Sequence, residues 1–273
     1  MLNAPALTVP PINGQDWTTQ NYDLKFRGNI PWREALYLSR NLAAIRRGME
    51  LGEPGVIEMA RKFGITTPIP PYPSINIGSA DVYPIEMVAA YSAFATLGVR
   101  AVPNAVLKVE NAKGETIWEA TPARFETLSR DEAWMMVDMM KDVVRRGSAA
   151  SVWASGFHIP AGGKTGTTND GTDVWFIGYT PDLVTGIWMG FDRPQKIQSN
   201  AQGGRLVAPA WTSYMSAIYQ RRPAPPPWPR HDDLIVSEVD QYTALLRSPC
   251  CPDSPARNAY FIVGQEPVSP GAG

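Results

Sequence analysis

The sequence predicts an α+β fold, a helical block followed by an antiparallel sheet and one late helix. Three observations carry it. Amphipathic helical periodicity runs from Pro31 to Phe63 and returns over 129–146. From Gly162 the texture changes to β-type runs joined by Thr180-Pro181-Asp182, a turn too short for the crossover that parallel strands need. Residues 207–220 are helical again.

Taken in order, residues 1–30 are rich in Pro, Asn and Gly and read as an extended or looped lead-in. Pro31 suits a first helical turn and opens a helix through Leu38. The polar triplet Ser39-Arg40-Asn41 interrupts it, and a second helix follows from Leu42 to Leu51. A third spans Gly55 to Phe63 and is ended by Gly64 and the Pro-rich run 67–73. Pro84 to Leu97 is apolar on nearly every side, the pattern of a helix buried in a domain centre. Val106–Val109 and Thr116–Trp118 read as strands about the turn Asn111-Ala112-Lys113-Gly114. In the helix over 129–146, Trp134, Met135, Val137, Met139 and Met140 are core candidates, and the cationic Arg145-Arg146 suits its C-terminal dipole. Lys164–Thr167, Val174–Tyr179 and Leu183–Phe191 form a meander. Pro223 to Pro229 reads as a stiff linker into a loose tail, in which Val236–Val239 and Ala259–Val263 are short strands of an interaction appendage or a solvated extension. The expected division is 1–222 and 223–273.

Composition narrows the function. The 273 residues are 44% hydrophobic and 19% charged, enough for a substantial core. With 25 basic and 26 acidic residues the net charge is −1, so nothing points to nucleic acid as a partner. Two His and two Cys, with no clustered ligands, give no metal site, and no cofactor is expected. The adjacent Cys250 and Cys251 either stay reduced or pair with another chain. The first residues lack a signal peptide's basic and apolar regions, and the most apolar stretch, Met87 to Val99, is far shorter than the roughly 20 residues a spanning helix needs.

The sharpest local feature is Gly162-Gly163-Lys164-Thr165-Gly166-Thr167-Thr168. A phosphate-binding loop ends in Gly-Lys-Thr but needs an earlier glycine where His158 stands, and a helix where a strand follows. The nucleotide reading fails on spacing and context. The alternatives are a plain Gly-rich turn or an edge strand facing a cleft. On such a strand Lys164, Thr165 and Thr167 hold a carboxylate, and Gly166 leaves room for an extended peptide. The amide of Thr167 would then serve a developing oxyanion. Ser39-Arg40-Asn41 taken alone reads as a helix end followed by a restart, or as a site.

Together the two triplets fit two parts of the three-part signature Ser-x-x-Lys, Ser-x-Asn, Lys-Thr-Gly of penicillin-binding proteins and class A β-lactamases. The resemblance is broad. Asn21-Tyr22-Asp23 and Arg33-Glu34-Ala35-Leu36 leading to Ser39, Tyr83-Pro84-Ile85-Glu86-Met87, Gly147-Ser148-Ala149, and Asp173-Val174-Trp175-Phe176-Ile177-Gly178-Tyr179 with Trp188-Met189-Gly190-Phe191-Asp192 all resemble the transpeptidase domain of class A penicillin-binding proteins over about residues 15–220. The resemblance implies a penicillin-binding/serine β-lactamase-like fold, here incomplete, and a serine DD-transpeptidase that cross-links peptidoglycan through an acyl-enzyme. It implies that Ser39 relays a proton and that Asn41 orients the substrate or the nucleophile's lysine. It makes Lys164 catalytic and, with Thr165, Gly166 and Thr167, the binder of the stem peptide's terminal carboxylate, in a cleft that β-lactams also occupy. The full-length family works at the extracytoplasmic face of the bacterial inner membrane.

No serine in the chain has a lysine three positions later: Ser39 is followed by Leu42, Ser74 by Ile77, Ser129 by Glu132 and Ser148 by Ser151. The nucleophile, the glycosyltransferase domain and the membrane anchor of that family would lie upstream of residue 1. The sequence therefore reads either as a truncated or split gene product or as a nucleophile-less remnant that binds stem peptides or a separate N-terminal fragment. In both readings β-lactams bind non-covalently at most. A β-lactamase has no foothold here, for want of a nucleophile. The apolar faces of 84–97 and 129–146 are expected to be partly exposed.

Overall fold

The computed structural model describes residues 2–3, 7–9, 17–247 and 255–267; Cys250 and Cys251 lie outside them. The lead-in is not simply looped. β1 (Leu2–Asn3) pairs antiparallel with β4 (Gly28–Asn29), and β2 (Leu7–Val9) with β3 (Trp17–Thr19). Helices α1 (Trp32–Tyr37), α2 (Asn41–Leu51) and α3 (Glu53–Lys62) follow as the periodicity predicts. A 3₁₀ turn over Pro73–Ile77 leads to α4 (Pro84–Ala95), which has Pro in its first turn. Strand β5 (Val99–Ala101) pairs with β8 (Arg124–Glu126), and between them β6 (Lys108–Glu110) and β7 (Thr116–Glu119) make the predicted hairpin. A capping box, Ser129 with Glu132, starts α5 (Arg130–Arg145), and one short turn, α6 (Ser151–Ala154), follows.

The central sheet holds β9 (Gly162–Thr167), β10 (Val174–Tyr179) and β11 (Val184–Met189), in the order β11-β10-β9 and antiparallel throughout. Helix α7 (Gly203–Tyr219) covers one face and α4 with α5 the other. The alternation of β10 divides its side chains between the two layers. Val174 and Phe176 pack with Val207, Trp211 and Met215 of α7, while Tyr179 packs with Ala95 of α4 and Val137 and Met140 of α5. Both faces of β10 are therefore buried, which is why its sequence is a continuous apolar run.

Helix α5 is well covered: Trp134, Val137 and Met140 are buried and Met135 and Met139 half-buried, so the expected exposure of its apolar face is not found. Helix α4 divides along its length. Ala90, Ala93 and Ala95 are buried whereas Ile85 is 60% exposed, so only the C-terminal half of this helix is central.

The expected loose tail is also corrected. Trp228, inside the Pro-rich run, is 5% exposed, packs edge-on against Tyr179 and donates its indole N–H to the Ala95 carbonyl at 2.8 Å. Beyond it, β12 (Ile235–Asp240) and β13 (Ala256–Phe261) form an antiparallel hairpin whose Tyr260 meets Trp134 edge-on at 4.7 Å. The Lys141 ammonium sits 5.4 Å from the ring of Trp134 and 5.5 Å from that of Trp228. Apolar burial, which a Pro-rich composition does not announce, holds the extension to the core.

Candidate active site

Ser39 lies where α1 stops. Its φ is +55°, the left-handed region, its N–H donates to the Leu36 carbonyl (3.1 Å), and that of Arg40 donates to Ala35 (2.9 Å). This is the Schellman geometry that ends helices, usually with glycine at the left-handed position. The helix-end reading of Ser39-Arg40-Asn41 is the geometry found, and the turn that stops α1 presents the Ser39 hydroxyl. Arg40 is buried and donates to Asp23 Oδ1 at 2.6 Å, which anchors the turn. The Asn21 side chain spans the same region, receiving the Leu42 N–H and donating to the Lys25 carbonyl.

Lys164 reaches that hydroxyl from β9. Its Nζ donates to Ser39 Oγ at 2.7 Å and to its neighbour's carbonyl, Thr165 O, at 3.0 Å. Burial disfavours the charged form and draws the ammonium down to a pKa of about 8. β9 is the edge of the sheet, and among the described residues no strand pairs with its outer side. Thr165 and Thr167 leave the opposite face from Lys164. There Thr165 Oγ1 lies 2.6 Å from Ser148 Oγ, and Thr167 Oγ1 accepts the Gly203 N–H at 3.1 Å. A hydroxyl that accepts in this way still has its own proton to donate.

Two close approaches set this geometry. A Cβ on Gly204 would lie 1.8 Å from the Ser148 carbonyl oxygen, so α7 can begin against the site only with glycine there. A Cβ on Gly147 would lie 2.4 Å from the Tyr37 carbonyl oxygen, at the place where the Ser148 N–H donates to that carbonyl at 2.9 Å. The strap that carries Ser39 is thereby fastened to the turn that carries Ser148.

The structure thus joins Ser39 to Lys164 and brackets Gly166 between Thr165 and Thr167. Asn41 stands apart: its side chain donates to the Gln20 carbonyl at 3.3 Å, and no hydrogen bond links it to Ser39 or Lys164. Sequence reasoning did not place Ser148, Gly203 or Gly204 at the site. Gly147-Ser148-Ala149 and the Gly-Gly pair after Gln202 were the available signals, and both are short. Among the described residues no three His, Cys, Asp or Glu side chains group to hold a metal ion.

Residues 7–210 match the family described as the penicillin binding protein transpeptidase domain. The chain belongs to that family. Penicillin-binding protein 1A of Aquifex aeolicus is 34% identical over 94% of this chain and 34% of its own length, and that of Neisseria lactamica is 33% identical over 82% of this chain and 29% of its own. The chain thus spans about a third of the length of these curated relatives. Among solved structures, penicillin-binding protein 1A from Haemophilus influenzae superposes with a TM-score of 0.90 at 22% identity, over 99% of this chain and 45% of that one. The PonA1 protein of Mycobacterium tuberculosis in complex with penicillin V superposes with a TM-score of 0.68 at 25% identity, over 84% of this chain and 66% of that one. The expected penicillin-binding transpeptidase fold is the fold observed, in an α+β arrangement. No helix among the described residues is long and apolar enough to cross a membrane.

Proposed function

We propose that this chain forms the carboxylate-holding and proton-relaying side of a peptidoglycan DD-transpeptidase cleft. The observation that carries the reading is the Lys164–Ser39 hydrogen bond at the open edge of β9. A stem peptide ending in D-Ala-D-Ala would lie along β9 as an added strand, over Gly166, with its carboxylate taken by Lys164, Thr165 and Thr167. Ser39, held by an ammonium whose pKa is about 8, is placed to pass a proton between the leaving amine and the reacting centre. Asn41, on the first turn of α2, would orient the bound peptide once its side chain releases the Gln20 carbonyl. β-Lactams, as carboxylates of similar shape, would occupy the same edge.

These 273 residues contain no Ser-x-x-Lys, so they supply the recognition side of the cleft and not the acylated serine. In this proposal residues 1–222 are the C-terminal part of the transpeptidase domain, working at the extracytoplasmic face of the membrane, and 223–273 are an extension docked on it. The second reading, a non-catalytic binder of stem peptide or of a separate N-terminal fragment, rests on the same missing motif.

Two measurements test this. Incubation with a fluorescent penicillin, denaturation and electrophoresis should leave the chain unlabelled, whereas titration with a D-Ala-D-Ala peptide should show saturable, reversible binding that Lys164→Met weakens. A labelled band would overturn the division of labour, and failure to bind the peptide would overturn the cleft.

A further inference from the structure

A second cluster of polar groups lies away from β9, in a small open cleft between α1, the C-terminal end of α5 and the β12–β13 hairpin. Three of its lining residues are arginines: Arg33, Arg146 and Arg257. Two of them are satisfied. Arg33 is ion-paired with Asp138 and donates to Asp142 Oδ2 at 3.0 Å, and Arg146 donates to the same oxygen at 2.7 Å. Arg257, half-buried on β13, makes no hydrogen bond or close ion pair among the described residues, and Asp142 and Asp138, already bonded by Arg33 and Arg146, act on it only from farther off. Burial and the charge of Arg33, with that of Arg146, outweigh the opposing pull of Asp142 and Asp138 and lower its pKa from the usual arginine range.

Two further donors line the same cleft without an acceptor. The Tyr37 ring is covered by Arg146 at 4.9 Å, and its hydroxyl makes no hydrogen bond among the described residues. Burial and the nearby Glu34 raise its pKa, so it keeps its proton and remains a donor. Gln241 donates its backbone N–H to the Pro255 carbonyl, and its side-chain amide, on the same cleft, makes no hydrogen bond among the described residues. The carboxylate at the rim, Glu34, is already engaged by Arg27 at 3.2 Å.

An unpaired guanidinium, a phenol and an amide on one cleft, beside two arginines whose counter-charges are already shared, form a donor set that lacks its acceptor. We propose that this cleft is a binding site for a small oxyanion, a carboxylate or phosphate group, held by Arg257, Tyr37 and Gln241. It shares no residue with the edge of β9. It does touch the strap that carries Ser39, because Tyr37 is the residue whose carbonyl receives the Ser148 N–H. A bound anion would therefore brace the same segment that presents the relay hydroxyl.

The test is thermal unfolding and calorimetric titration of the full chain with inorganic phosphate and, separately, with sodium acetate, at constant ionic strength set by NaCl. The expected result is saturable binding and a rise in Tm with at least one of the two, which identifies a phosphate or a carboxylate ligand. Loss of a charge-assisted hydrogen bond is worth about tenfold in affinity, so Arg257→Gln should weaken binding by at least that factor. With no anion added, Arg257→Gln should unfold no earlier than the wild type, because burial and the charges of Arg33 and Arg146 make this guanidinium costly to hold. Should that variant misfold, Tyr37→Phe keeps the ring under Arg146, removes one donor and should still weaken binding severalfold. Lys164→Met should bind phosphate or acetate as the wild type does, which separates this site from the proposed peptide cleft. Absence of saturable binding for both anions, or equal binding by the wild type and Arg257→Gln, overturns the proposal.

Discussion

Lys164 Nζ and Ser39 Oγ lie 2.7 Å apart although 125 positions separate them in sequence. The contact joins the edge of a sheet to the end of a helix, and each of its ends can be altered separately.

Removing the ammonium should weaken carboxylate recognition. A hydrogen bond to a charged group is worth about 1.5–3 kcal/mol, so Lys164→Met should weaken a D-Ala-D-Ala peptide by about tenfold or more. Affinity of the wild type should also fall as pH rises through about 8, where Lys164 loses its charge, and the variant should show no such dependence. Peptide titrations between pH 6.5 and 9.5 measure both.

The same lysine sets a stability slope. Its folded pKa of about 8 lies below the 10.5 of an ordinary lysine, so between those pH values the unfolded chain holds a proton that the folded chain has lost. Stability contributed by this group therefore rises with pH across that window and is flat below it. Denaturant midpoints at pH 7.5 and 9.5 should show a smaller rise for Lys164→Met than for the wild type.

Ser39→Gly offers a substitution in which fold and chemistry part. Glycine occupies the left-handed conformation without penalty, and the backbone bonds that end α1 do not need the hydroxyl. The strain relieved at the left-handed position should offset part of the lost hydrogen bond to the buried Lys164, leaving the variant within about 1–2 kcal/mol of the wild type. It should still bind peptide, and Lys164 should titrate differently for want of its partner. NMR of the lysine Nζ and a melting curve read the two outcomes.

Gly204→Ala should act in the opposite sense. The added methyl would meet a backbone oxygen at 1.8 Å, so α7 must move away from Ser148. Overpacking of this kind costs about 1–3 kcal/mol, and peptide affinity should fall along with stability. A normal melting temperature with normal binding would contradict the close approach.

Trp228→Ala should cost about 3–5 kcal/mol, because it empties a buried site and orphans the Ala95 carbonyl. Limited proteolysis should then cut between 223 and 234 faster than in the wild type.

Much of this molecule was legible from local pattern. The runs from Pro31 to Leu51, the hairpin about Asn111–Gly114 and the strand 174–179 all follow from periodicity, proline placement and turn residues. Lys164-Thr165-Gly166-Thr167 was legible as an edge strand because its glycines and alternation fit one. What escaped depends on distant partners. The β5–β8 pair closes over more than twenty residues, and neither strand carries a long enough run to announce itself. Trp228 was hidden by prolines, since composition reports stiffness and not what a single indole will find to pack against. Ser148 acquires its place through Gly147 and Gly204, whose missing side chains matter only once the backbones have met.

The open side of β9 also bears on how this protein behaves when concentrated. A row of unpaired amides and carbonyls will accept any extended segment, including one from a second copy of the same chain, and so invites edge-to-edge stacking. A peptide laid along β9 would close that edge, so its presence should raise the concentration at which the chain begins to self-associate, as light scattering would read.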